Sequence, residues 1–261
     1  MAFSYEELAE IRHYIHQHPE LSGQEYQTTA FLKERLEELG IRILESGLKT
    51  GLIAEIGSGQ PVVALRADID ALPILEQTNL PYQSQNPGVM HACGHDFHQT
   101  SLLGAAALLK EKEDQLEGTV RLIFQPAEEI SEGASDVLAT GLLEDVQGII
   151  GFHNIPQLKA GQLALNAGAM MAGVEKFKVT VTGVSSHAAR PDLGVDTVTA
   201  VTTMVQNVQL LISRTVSPFE TAVLSITHLD VGSTWNVLPK SGYFEGTIRS
   251  FNPSVQRDLK A

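Results

Sequence analysis

A single cysteine in 261 residues is the first constraint. Cys93 has no partner within the chain, so an internal disulfide is excluded and the thiol is left to packing, reactivity or metal ligation. Basic residues are also scarce: 18 Lys and Arg against 31 Asp and Glu leave a formal charge of -13 at pH 7. That balance argues against broad nucleic-acid binding, which needs clustered cations. Long apolar runs are missing too. The longest nearly unbroken one, Leu102–Leu109, falls far short of the roughly 20 residues of a membrane span, so no membrane association is expected. The N-terminus lacks the apolar stretch after a basic start that marks a secretory signal. With the free cysteine, this places the expected setting in the cytoplasm. No GxGxxG or GxxxxGKS/T string opens a predicted helix, which weakens any nucleotide-binding reading. Long-period repeats and low-complexity tracts are likewise absent.

What is present reads as an ordinary folded protein, 43% hydrophobic and 19% charged, long enough for one or two domains of roughly 100–200 residues each. Ser4 and Glu7 have the spacing of a capping box, and a helix follows to about His18, stopped by Pro19. A second helix spans about Gln24–Leu39, with Gly40 as its stop. Short β-rich runs follow at Leu52–Ile56, Val62–Ala67, Val120–Phe124 and Gly148–Phe152, with helical patterns near Thr100–Lys112 and Gly133–Leu143. This alternation predicts an α/β fold with a mostly parallel sheet and helices on both faces. Near residue 170 the texture changes, and Gly168–Gly173 reads as a linker. Beyond it come a strand at Phe177–Val181, a helix from about Asp196 to Arg214, strands at Thr221–Leu229 and Ser241–Ile248, and a helix opening at Asn252-Pro253-Ser254. The order predicts a split βαβ, ferredoxin-like α+β layer. The expected domains are therefore 1–172 and 173–261.

Four polar clusters are expected at strand ends of the first domain, where open α/β sheets bind ligands: Arg66–Asp70, His91–His98, Gln125–Glu129 and Gly151–Asn154. A thiolate, imidazoles and carboxylates converging on one crevice suit transition-metal ions. Cys93 and His95 are two apart, so in extended backbone both point the same way. Glu128 and Glu129 are adjacent and face different directions, which lets one ligate a metal while the other stays free as a general base. Each cluster alone has a plainer explanation: an inert core cysteine, a solvated Glu pair at a helix start, Asp68 and Asp70 as turn residues. Their joint occurrence is what points to a metal site.

The stretches HQHPELSGQE, LRADIDALPI, GVMHACGHDFH, QPAEE and GFHN, followed by GAMMAG, VTGVSSHAARP and NVLPKSGYFEGTIRSF, resemble the dinuclear-metal amidohydrolases. These include aminoacylases, hippurate hydrolases and auxin-conjugate hydrolases, and are relatives of carboxypeptidase G. The resemblance runs in order along essentially the whole chain. It implies a zinc-exopeptidase-like catalytic domain, a lid domain, and hydrolysis of the amide bond of an N-acyl amino acid. Two divalent ions (Zn, Mn, Co or Ni) are implied, with Cys93 bridging them, His95 and His153 on one and Glu129 on the other. Glu128 is implied as the general base, Asp70 as the carboxylate that supports the site, and Asp68 as a residue just behind it. In the lid, His187 is implied to stabilise the oxyanion, Asn236 to position substrate and Arg249 to grip the substrate carboxylate with paired hydrogen bonds. His187 could instead cap the turn before Pro191, Asn236 could be a turn residue, and Arg249 could pair with Glu245. The resemblance also implies a homodimer formed through the lid.

The family pattern continues beyond the lid into a return segment that carries a further metal-ligating His, and the last of the 9 histidines here, His228, lies on a lid strand. The expectation is therefore a chain truncated at its C-terminus, with an incomplete lid sheet. The alternative function is a silent relative acting as a metal-binding or dimerising scaffold.

Overall fold

The structure is a computed structural model and describes residues 3–260. The chain divides into two compact units between Lys159 and Ala160.

The first unit opens with α1 (Tyr5–Gln17), whose N-cap Ser4 and Glu7 form the reciprocal capping box, followed by α2 (Tyr26–Glu38). Gly40, at φ 67°, turns the chain out of that helix into β1 (Arg42–Leu44), β2 (Leu52–Gly57) and β3 (Val62–Asp68). Then come α3 (His95–Lys110), β4 (Thr119–Gln125), α4 (Gly133–Ala139) and β5 (Val146–Gly151). The five strands form one sheet in the order β1-β2-β4-β3-β5. β3 is parallel to both β4 and β5, whereas β2 is antiparallel to β4 and to β1. Four of the five strands thus share a direction and β2 alone runs against them, so the sheet is mostly parallel, as the alternating pattern predicts.

β4 is buried at all seven positions, and its side chains alternate between two cores. On one face Val120, Leu122 and Phe124 meet Ile11 and Ile15 of α1, Leu32 and Leu36 of α2, and Leu102, Leu103 and Ala106 of α3. On the other, Ile123 joins Ile53, Ala64 and Val137 of α4. Each such side chain withdrawn from water contributes roughly 1.5–3 kcal/mol, which is why a near-continuous apolar run reads as a strand covered on both sides.

The second unit contains β6 (Gly173–Thr182), β7 (Ser186–His187), α5 (Thr197–Val208), α6 (Leu210–Thr215), β8 (Ala222–Val231), β9 (Val237–Leu238), β10 (Ser241–Ser250) and α7 (Pro253–Lys260). β10 lies between β6 and β8 and is antiparallel to both, which is the split βαβ arrangement. Phe177 and Phe244 meet edge to face, centroids 6.3 Å apart, over a core that includes Val201, Leu224 and Ile248. β7 and β9 pair separately. Among the described residues no helix is long and apolar enough to cross a membrane.

Several boundaries differ from the sequence expectation. α3 begins at His95, five residues before the apolar periodicity starts at Thr100, because its first turn is polar yet buried. The predicted helix Gly133–Leu143 stops at Ala139, and Gly141 at φ 71° reverses the chain. The helix expected from Asp196 to Arg214 is two, α5 and α6, hinged at Gln209, with the Asp196 side chain accepting from the N–H groups of Val198 and Thr199 as N-cap. The cluster His91–His98 is not at a strand end: it follows a lone bridge between Leu72 and Met90 and opens α3.

Candidate metal centre

Because β3, β4 and β5 are parallel, their C-terminal ends reach the same sheet edge, and three of the polar clusters come with them. Ile69 N–H donates to Gln125 O at 3.0 Å, tying the exit of β3 to that of β4. The N-terminus of α3 supplies the fourth cluster. Cys93 and His95 do not converge through extended backbone, as the i, i+2 spacing suggested. Gly94 lies between them at φ 89°, ψ 20°, a left-handed turn, and His95 is already the first residue of the helix. A Cβ at Gly94 would lie 2.3 Å from Oδ1 of Asn154.

Among the described residues, one ligand atom each from Cys93, His95 and His153 lie within 4.8 Å of one another. The same holds for Asp68, His95 and His98, and for His95, Glu128 and Glu129. His95 belongs to all three groups. Cys93 Sγ is 3.3 Å from His153 Nε2, and His95 Nε2 is 3.8 Å from Glu129 Oε1. The other ring nitrogen of His95 is turned to Asp70, 2.9 Å from its backbone O and 3.1 Å from Oδ1. Oδ2 of Asp70 accepts from Ser22 Oγ at 2.7 Å and from Glu129 N–H at 3.0 Å. Asp70 therefore fixes both an imidazole and the turn that carries the glutamates. In the neutral His95 ring Nδ1–H donates to Asp70, which leaves the Nε2 lone pair facing the cluster. His95 Nε2 and Glu129 Oε1 are both buried with no hydrogen-bond partner. Orphaned acceptor atoms beside a thiol, a second imidazole and carboxylates form a donor set that fits divalent transition-metal ions.

The electrostatics agree with that fit. Burial works against a charged His95, yet the hydrogen bond to Asp70 and the neighbouring Cys93 and Asp68 outweigh it and push its pKa up to about 10. The negative surroundings that hold a proton there favour a cation in its place. Desolvation raises Asp68 to about 6, against the pull of Arg66, whose guanidinium is 2.5 Å away. Burial also raises Glu129. Asp70 is lowered: burial opposes this, but the hydrogen bonds from His95, Glu129 N–H and Ser22 together prevail. Burial lowers His98 to about 4.

The model of peptidase family M20/M25/M40 matches residues 64–239. The chain belongs to that family. It is 48% identical over 256 residues to the N-acetyl-L-cysteine deacetylase of Bacillus subtilis strain 168, which covers 97% of this chain and 62% of that protein. It is 42% identical to the IAA-amino acid hydrolase ILR1-like 5 of Arabidopsis thaliana, covering 96% of this chain and 58% of the relative. A crystal structure of the Bacillus subtilis YXEP protein, described as a dinuclear metal binding peptidase from the M20 family, superposes with a TM-score of 0.81 at 44% identity, covering 97% of this chain and 66% of that one. The chain thus spans 62% and 58% of the two curated relatives.

In this M20 chain two residues of the predicted clusters, given no role by the sequence, shape the site. His98 Nε2 is 2.7 Å from Asn154 Oδ1 and 3.1 Å from Asn154 N, and the His98 ring meets that of His153 at 4.5 Å. The pair latches the end of β5 onto the first turn of α3. Had the helix been started at His95, the i, i+3 spacing of His95 and His98 would have put both on one face.

The three remaining predicted residues lie in the second unit. β7 and β9 pair His187 with Val237, which makes His187 and Asn236 neighbours, and Ala188 N–H donates to Asn236 O at 3.0 Å. His187 does cap its turn, Nδ1 accepting from Ala189 N–H at 3.1 Å. Asn236 Oδ1 accepts from Thr234 Oγ1 at 3.2 Å. Arg249 is exposed on β10, two residues beyond Thr247 on the same sheet face. Glu245 is engaged by His228 at 3.1 Å and Lys178 at 3.9 Å rather than by Arg249.

Proposed function

We propose that this chain carries the metal centre and lid of an amidohydrolase that splits the amide bond of N-acyl amino acids, giving a carboxylic acid and a free amino acid. The observation that carries the reading is the gathering of Cys93, His95, His153, Glu128 and Glu129 around the unpartnered Nε2 of His95. The names of the relatives, a deacetylase of N-acetyl-L-cysteine and a hydrolase of IAA–amino acid conjugates, support the same substrate class.

In this reading Cys93, His95, Glu129 and His153 hold two divalent ions (Zn, Mn, Co or Ni), with Asp70 orienting His95 and Asp68 behind it. The chemistry supplied by such a bound pair is a lowered pKa for water and polarisation of the amide carbonyl. Glu128, half-buried beside Glu129, accepts the proton of the attacking water and passes it to the departing nitrogen, a task open to a carboxylate not tied up as a ligand. His187 donates to the oxygen that gains charge. Its Nδ1 is an acceptor for Ala189 N–H, so the neutral ring carries its proton on Nε2, the nitrogen free to donate. Asn236 orients the amide, and Arg249 binds the carboxylate of the amino-acid half. The proposal extends to domains 1–172 and 173–261, to pairing of two copies through the second, and to the cytoplasm, where a lone thiol stays reduced.

Glu128→Gln tests it. Turnover of an N-acetyl amino acid is expected to vanish while metal content, measured by mass spectrometry, stays at the wild-type level. A fully active variant refutes the assignment.

A further inference from the structure

Glu25 has no part in the chemistry above, yet it is wholly buried, at 0% exposure. It occupies the N-cap position of α2 but makes no side-chain cap bond. That service is taken by Glu20, whose carboxylate accepts from Gln27 N–H at 3.1 Å, Thr28 N–H at 2.8 Å and Thr28 Oγ1 at 2.9 Å. The Glu25 side chain reaches 102 residues along the sequence instead: Oε1 accepts from Ala127 N–H at 2.8 Å, and Oε2 accepts from Thr50 Oγ1 at 2.8 Å. Among the described residues no cation forms a salt bridge with it.

Ala127 immediately precedes Glu128 and Glu129 and sits at φ 49°, in the left-handed region, which costs a non-glycine residue roughly 1–2 kcal/mol. Something must hold it there. Its carbonyl accepts from Glu132 N–H at 3.3 Å and Gly133 N–H at 3.1 Å, and its N–H is held by Glu25. The turn is also clasped sterically: a Cβ at Gly51 would lie 2.5 Å from Pro126 Cδ, and one at Gly133 would lie 1.6 Å from Pro126 O.

We infer that Glu25 is a positioning residue whose buried carboxylate locks Ala127 in its left-handed conformation and so aims Glu128 and Glu129 into the site. This rests on the reading of those two glutamates given above. What matters in this arrangement is the reach and acceptor capacity of the side chain, not its charge. Gln offers the same length, with Oε1 for Ala127 N–H and Nε2 as a donor to the Thr50 hydroxyl. Asp keeps the charge but is one methylene too short to span both partners.

The experiment compares wild type, E25Q and E25D in the full 261-residue chain. Amide exchange is followed by mass spectrometry over the segment 125–133, and Co(II) affinity by its thiolate charge-transfer absorption. E25D is expected to exchange roughly tenfold faster in that segment, the equivalent of one lost hydrogen bond, and to bind Co(II) roughly 10–100-fold more weakly, the usual cost of removing a support behind metal ligands. E25Q is expected to match wild type in both. An E25D variant with a lower melting temperature but wild-type Co(II) affinity makes Glu25 merely structural and overturns the inference, as does an E25Q variant that fails where E25D succeeds. Wild type that takes up no Co(II) refutes the metal reading. That failure is distinguishable, because the exchange contrast between E25Q and E25D then still supports the anchoring role.

Discussion

Replacing Gly94 by alanine puts the local argument for the centre to its sharpest test. Gly94 combines a backbone conformation that L-residues avoid with the absence of room for a side chain. The first factor costs roughly 1–2 kcal/mol. For the second, the new Cβ would stand 2.3 Å from Oδ1, 2.6 Å from Nδ2 and 2.7 Å from Cγ of Asn154, all closer than real Cβ contacts. Asn154 cannot yield freely, since its Oδ1 is bonded to His98 and its backbone N–H points at the same ring. Moving it forfeits a hydrogen bond worth about 0.5–1.5 kcal/mol. The sum, about 1.5–3.5 kcal/mol, is a large share of the roughly 5–15 kcal/mol that holds a typical domain folded. Urea unfolding of wild type, G94A, N154A and the double variant separates the two parts. With Asn154 shortened the steric part disappears, so G94A is expected to cost only its backbone share, leaving a coupling energy of about 0.5–1.5 kcal/mol between the positions. Purely additive effects would refute the claim that Asn154 is the obstacle.

Two further outcomes follow from the same neighbourhood. Asp70→Asn keeps the shape but disturbs the acceptor that orients His95, and Co(II) affinity is expected to fall roughly 10–100-fold; equal affinity in a competition titration would show that His95 needs no such support. His16, on α1, has its pKa raised chiefly by its hydrogen bond to Asp96, with Glu76 on its other nitrogen, against a lowering by burial. Arg12 shares the same Asp96 oxygen, and the rings of Tyr82 and His91 lie at 5.6 and 6.5 Å. A raised folded pKa means that the contribution is complete below the ordinary 6.5 and fades as pH climbs through the higher folded value. The stability gap between wild type and His16→Gln should therefore be wider near about pH 6 than near about pH 9, and a gap that widens with pH would contradict the network.

The elements legible from sequence are those whose apolar spacing is set by burial on a sheet face. β2, β3 and β4 lie within a residue or two of their expected bounds because Leu52–Ile56, Val62–Ala67 and Val120–Phe124 are largely apolar, buried throughout in the first and last and in part in β3. The start of α3 was hidden because His95, Asp96, His98 and Gln99 are buried for their hydrogen bonds and donor atoms rather than for hydrophobicity, and no hydropathy pattern registers that. The candidate donors were legible as residue types, since Cys, His and paired Glu in short clusters are unusual. Their convergence has another local cause than extended alternation: the chain makes a left-handed turn at Gly94. Glu25 lies outside the four polar clusters, and the pairing of His98 with Asn154 is not legible although both fall in such clusters. Their partners lie 102 and 56 residues away, and no local spacing encodes such a pair.

The sheet order also fixes when this cluster of donors can come into being. A ribosome delivers Cys93 and His95 first, then the two glutamates, and His153 only after a further excursion through α4 and β5. Until β5 has zipped onto β3, the imidazole that must sit 3.3 Å from the thiol is elsewhere. A half-made chain therefore presents an incomplete donor set, and in the proposed centre firm capture of an ion would signal that the parallel strands have all reached their places.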